Sequence, residues 1–189
     1  MGMRRRTHRQ DDLPETFDPS ESPIELDPEK TRERTMHRAV KLLAAKPRST
    51  GELRERLIEK RWTNEQTVDS VLEKLLGYGY LNDEQFARGF ASSQIRQKPV
   101  GRKRLEYSLA QKKIDKEIAG HALDEILQEM PEEKLIDIAI QKRVSVRGKP
   151  QTRQEKKSLF DHLLRRGFPY ELTLRKVLEL GVNTFDDEV

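Results

Sequence analysis

Thirty-seven Lys and Arg side chains dominate the chemistry open to this 189-residue chain, and they are unevenly placed. Arg96, Lys98, Arg102, Lys103 and Arg104 fall close together, with Lys112 and Lys113 shortly after them. A second concentration holds Lys142, Arg143, Arg147, Lys149, Arg153, Lys156 and Lys157, followed by Arg165 and Arg166. Cationic groups at this density make phosphate contacts that are strong in sum, sensitive to salt and largely indifferent to base sequence. These residues form the candidate polyanion-binding set. Each has a structural alternative as part of a solvated face, and Lys112, Lys113, Arg165 and Arg166 would also complement the negative ends of helices.

Covalent and metal chemistry find no constellation to use. The four histidines, His8, His37, His121 and His162, are scattered without metal-ligand spacing, and the absence of cysteine removes thiolate ligands, thiol nucleophiles and disulfides. Gly77 and Gly79 flank Tyr78 with no following Lys-Ser/Thr, so they read as helix terminators and not as a phosphate loop. Asp83 and Glu84 sit where a helix's first turn already favours negative charge. The expectation is a protein that is not an enzyme and that needs no metal or cofactor. Tyr107 and Tyr170 could present rings, but Phe86, Phe90, Phe160 and Phe168 fall at core-like positions, so a base-stacking platform is not expected.

The elements that must carry this charge announce themselves through a repeat. Leu53, Leu105 and Leu159 are 52 and 54 residues apart. Each is followed four positions on by Leu57, Leu109 or Leu163, then by Trp62, Ile114 or Phe168, then by Val71, Leu123 or Val177. A period near fifty residues signals modules that bury their apolar faces by stacking on neighbours. The Leu pairs share one helical face, and Trp62, Ile114 and Phe168 are expected to plug the corner of each core.

Start and stop signals predict helices over 34–46, 50–61, 64–77, 83–97, 102–113, 116–129, 132–146, 153–166 and 170–181. Capping-box spacing pairs Ser49 with Glu52, Thr63 with Gln66, Asn82 with Gln85 and Thr152 with Glu155. Gly101, Asp115, Pro131 and Pro169 mark further starts, the two prolines just inside a first turn; Pro47, Pro99 and the Gly148 to Pro150 stretch mark stops. No segment alternates with period two. The expected fold is therefore all-α, an elongated array of three tandem three-helix modules without β-sheet. The modules span 34–81, 82–130 and 131–183, between a disordered charged extension at 1–33 and an acidic tail at 184–189.

Only 34% of residues are apolar and 37% are charged, which suits thin helical bundles with much surface per core residue. The net charge of +4 conceals a body from 34 to 183 of about +10, offset by acidic flanks. A polyanionic partner is expected. The basic N-terminus has no apolar core region and no run approaches the roughly 20 apolar residues of a membrane span, so the expectation is cytoplasmic, with no membrane contact.

The segment Gly79, Tyr80, Leu81, Asn82, Asp83, Glu84, Gln85, Phe86, Ala87 resembles a signature of the RecX family of recombination regulators. Gly101, Arg102, Lys103, Arg104, Leu105 and Leu109 resemble that family's next motif, and Arg165, Arg166, Gly167 and Phe168 its counterpart in the third module. The resemblance covers roughly residues 34–181. It implies a regulator that binds the RecA recombinase and its filament on single-stranded DNA; a monomeric state and duplex DNA as a second ligand are separate expectations. It further implies inhibition of filament growth, ATP hydrolysis, strand exchange and co-protease activity. Where the family often has Lys-Gly before the large corner residue, this chain has Lys60-Arg61 and Lys112-Lys113, so these helix ends should lack a left-handed glycine cap. The acidic N-terminal extension is also outside the pattern. Two other classes remain open from the residues themselves: a helix-turn-helix DNA-binding transcription regulator, because the short second helix and tight turn suit that geometry, and a helical adaptor without nucleic-acid contact.

Overall fold

The computed structural model describes residues 27–180, and these are helical with no strand among them. Residues 1–26 of the expected extension and the acidic tail at 184–189 lie outside the described residues. The helices are α1 (Pro28–Ala45), α2 (Thr50–Ile58), α3 (Glu65–Gly77), α4 (Asp83–Gln97), α5 (Arg102–Gln111), α6 (Lys116–Glu129), α7 (Glu132–Arg147), α8 (Arg153–Arg165) and α9 (Tyr170–Glu179). Their main packing partners fall into three sets: α1 with α2 and α3, α4 with α5 and α6, and α7 with α8 and α9.

The repeat fixes the core. Leu53, Leu57, Leu105, Leu109, Leu159 and Leu163 are all buried, as are Val71, Leu123 and Val177. Ile114 and Phe168 fill their corners as expected. Trp62 does not: it is half-buried at the edge of the first module, with the Arg34 guanidinium 4.4 Å from its ring centroid. Its indole is a platform for a cation instead of a plug.

The boundaries also depart from expectation in places. The first helix begins at Pro28, not at 34, because the Asp27 carboxylate accepts from Glu29 N–H and Pro28 occupies the first turn, where a missing N–H costs nothing. Residues 28–33 are thus helical and not disordered. The second helix ends at Ile58, three residues short. The cap of α3 is Asn64 and not Thr63; the Thr63 hydroxyl instead lies 3.1 Å from that of Thr35 on α1. Only Thr152 and Glu155 form a reciprocal capping box, whereas Ser49 and Asn82 cap in one direction. Pro131 and Pro169 are the cap residues themselves and stand one position before the first turn.

The modules join through a repeated polar contact. Ser49, the cap of α2, donates its hydroxyl to the carbonyl of Lys112, the residue that ends α5. One module on, Gly101, the cap of α5, donates its N–H to the carbonyl of Arg166, which ends α8, at 2.9 Å. An acid seals each junction beside it. Asp83 at the start of α4 accepts from the Thr50 N–H at 2.8 Å, and Glu132 at the start of α7 accepts from the Arg102 N–H at 2.7 Å.

These carbonyls are presented by a left-handed residue immediately after them. Gly167 supplies it in the third module with φ 83°, and Lys113 supplies it in the second with φ 58°. The second module therefore keeps the left-handed turn without glycine. At about 1–2 kcal/mol such a conformation is affordable for a residue with a Cβ, and here it is held by the junction. Arg61 makes no such turn.

Two apolar cores result. One belongs to the first module, from Ala39 through Leu81, and the other runs continuously through the second and third modules, from Ala87 through Val177.

Gly51 lies in the first turn of α2, where a Cβ would collide with the Lys113 side chain and sit 2.8 Å from its carbonyl oxygen. Gly-to-Ala within a helix normally gains about 0.5–1 kcal/mol. Gly51→Ala should instead destabilise the full chain, read as a lower midpoint in urea unfolding. A higher midpoint would mean that the first junction does not close in solution.

Candidate polyanion interface

The basic residues picked out by the sequence divide into two groups by what they touch. Arg102, half-buried, donates to both Glu106 and Asp124, and these two carboxylates hold its guanidinium above its ordinary pKa. Lys112 pairs with Glu52 at 2.7 Å and Lys113 with Glu55 at 2.8 Å, both across the first junction. Arg166 donates to the Pro99 carbonyl at 2.9 Å across the second. These four serve the architecture.

The others remain open to solvent or to one another. In the second module Arg96, Lys98 and Lys103 are exposed without an ion-pair partner among the described residues, and Arg104 lies 5.5 Å from the ring centroid of exposed Tyr107. In the third module Lys142, Arg147, Lys149, Arg153, Lys157 and Arg165 are exposed, and Lys156 is half-buried. Arg143 is half-buried and donates to the Ser158 hydroxyl at 3.1 Å.

Packing of α7 against α8 brings Arg143, Arg147, Arg165 and Arg166 within electrostatic reach of one another. Burial, followed by the charges of Arg147, Arg165 and Arg166, pushes the Arg143 guanidinium below its ordinary pKa. His162 stands among the same four arginines. Burial comes first, then Arg143, Arg166, Arg165 and Arg147, and together they lower its pKa from 6.5 to about 4. Its imidazole is therefore neutral at physiological pH.

Sequence reasoning treated His162 as scattered. Its spacing to Arg165 and Arg166 was visible along one helix face, but Arg143 and Arg147 reach it only through the α7–α8 contact. It also passed over Tyr78 and Tyr80, which are 70% and 69% exposed and meet edge to face at 6.5 Å. Gly79, with φ 74°, closes the turn between them and leaves both rings outside the core.

The ends that a helix-turn-helix would insert in a groove carry acids. Glu65, Glu117 and Glu171 occupy the first turns of α3, α6 and α9, which suits the helix dipole and opposes a phosphate backbone. Among the described residues no helix is long and apolar enough to cross a membrane.

Residues 36–75 match the family description "RecX, first three-helix domain", and residues 82–123 match "RecX, second three-helix domain". The regulatory protein RecX of Prosthecochloris aestuarii is 32% identical over 146 residues, spanning 77% of this chain and 92% of that protein. That of Amycolatopsis mediterranei is 30% identical over 157 residues, spanning 83% and 89%. The crystal structure of RecX from Lactobacillus salivarius superposes with a TM-score of 0.70 at 20% identity, covering 80% of this chain and 97% of that one, a likeness of fold.

Because the pKa of His162 is lowered on folding, the unfolded chain takes up a proton that the folded chain refuses between about pH 6.5 and 4. Stability should fall as pH drops through that window. His162→Gln should flatten the fall, measured as unfolding midpoints at pH 7 and pH 4.5. An unchanged slope would place the imidazole away from the arginines.

Proposed function

The chain belongs to the RecX family, and on that premise we propose that it is a non-enzymatic regulator that binds the RecA recombinase and its filament on single-stranded DNA. In this reading it limits filament growth, ATP hydrolysis, strand exchange and co-protease activity. It acts as a cytoplasmic monomer, without cofactor, and contacts DNA largely without regard to sequence.

Beyond family membership, the observation that carries the reading is the uncompensated cationic surface of the second and third modules. Its members are Arg96, Lys98, Lys103 and Arg104 in one, and Lys142, Arg143, Arg147, Lys149, Arg153, Lys156, Lys157 and Arg165 in the other. A surface of this kind attracts phosphates by counterion release and equally suits an acidic protein face. Tandem modules joined by repeated contacts support an extended footprint, as expected of a partner that is itself a repeating polymer. Arg102, Lys112, Lys113 and Arg166 contribute by holding the modules that display this charge.

Added in excess at low salt, the purified protein should suppress the DNA-dependent ATP hydrolysis of RecA, and rising salt should relieve the suppression. An unchanged hydrolysis rate at low salt would remove the proposal. Reversing charge at Lys103 and Arg104 should weaken inhibition several-fold while circular dichroism stays unchanged, because neither side chain pairs with an acid. Including Arg102 in the reversal should cost stability as well, since it would break its contacts to Glu106 and Asp124.

A further inference from the structure

The end of α7, the loop after it and the start of α8 line a half-open cleft of about 360 Å³. Arg143, Arg147 and Lys149 line it with positive charge, and Val144, Pro150 and Leu159 give it an apolar wall. None of the three cations forms a salt bridge among the described residues. The acid in the wall, Glu155, is occupied: its carboxylate accepts from the Gln151 and Thr152 N–H groups at 2.8 and 3.0 Å, and these bonds hold it below the usual carboxylate range.

Such an arrangement disfavours the isolated protein. Arg143 is half-buried, feels the charges of Arg147, Arg165 and Arg166, and is offered a single neutral hydroxyl. An anion from outside would relieve that repulsion. The guanidinium fork suits a tetrahedral phosphate, and the apolar wall suits a ring more than it suits a carboxylate side chain. The volume lies at the lower end of small-ligand sites and is too small for a folded element.

We propose that this cleft in the third module holds one nucleotide unit of single-stranded nucleic acid. The phosphodiester lies against Arg143, Arg147 and Lys149, and the sugar or base against Val144, the partly exposed apolar residue of the lining. The proposal rests on the nucleic-acid part of the reading above and assigns it a place.

The test is fluorescence anisotropy of a labelled oligothymidylate with the full chain, at salt from about 50 to 200 mM. Arg143→Ala with Arg147→Ala should weaken binding about ten-fold or more and lower the salt slope by about 1 to 1.5. Lys41→Ala with Lys74→Ala removes the same charge from exposed positions of the first module, outside the candidate surface, and should weaken it less than about three-fold. Lys149→Glu, on an exposed loop, should reproduce the loss without touching a helix. The His162 ring signals in NMR should shift on addition of the oligonucleotide. Equal losses for the cleft and control pairs, with His162 unmoved, would overturn the cleft and leave DNA binding standing. No binding by the unaltered protein at low salt would overturn both. Displacement of the oligonucleotide by a poly-glutamate peptide at equal charge would assign the cleft to acidic protein instead.

Discussion

The structure turns on the carbonyl at the end of one module's middle helix, which accepts a hydrogen bond from the cap of the middle helix before it. Lys112 offers that carbonyl to Ser49, and Arg166 offers it to Gly101. A net gain of about 1 kcal/mol for each such bond is modest, but leaving the partners buried and unmatched would cost more. Asp83 and Glu132 fix the same end of the same helices through the next backbone N–H. The period of about fifty residues follows from this geometry: only when the middle helices recur at that interval do cap, carbonyl and acid fall in register.

The junction also explains which charges the RecX-family surface can present. Lys112 and Lys113 look on paper like the continuation of the Arg102 to Arg104 run, yet Glu52 and Glu55 of the neighbouring module claim them. Arg102 is held by two carboxylates of its own module. What remains in the second module is a smaller exposed set, while the third keeps Arg143, Arg147 and Arg165 close together with no ion-pair partner among the described residues. Charge density in the sequence and charge available at the surface are therefore different quantities, and the third module has more of the latter.

Most of the fold was legible because leucine spacing and cap residues are local signals. Leu105 and Leu109 had to share a face, and Thr152 with Glu155 had to begin a helix. The failures have a common cause in contacts made at a distance. Trp62 looked like Ile114 and Phe168 in register, but its ring lies half-buried at the module's edge with Arg34 of α1 over it. Lys113 gave no hint of a left-handed conformation, because the residue type argues against it and the turn goes with contacts to Ser49 and Gly51 of the neighbouring module. Asp83 was visible as a first-turn acid, and its larger task, holding the helix of another module, has no sequence signal. Arg165 and Arg166 could be found by counting along the chain, whereas their meeting with Arg143 needed the packing of α7 on α8.

The two junctions share their hydrogen bonds but differ in what lies behind them. The second is backed by an apolar core that continues from Ala87 to Val177, whereas the first joins two cores that do not merge. Burial of apolar surface couples the second and third modules into one cooperative unit, since opening them exposes carbon to water. The first module is tied on by directional bonds and by Lys–Glu pairs, the Lys112–Glu52 pair among them partly buried. The chain is thus a double block that shares one apolar core, with a leading module joined to it through a polar seam.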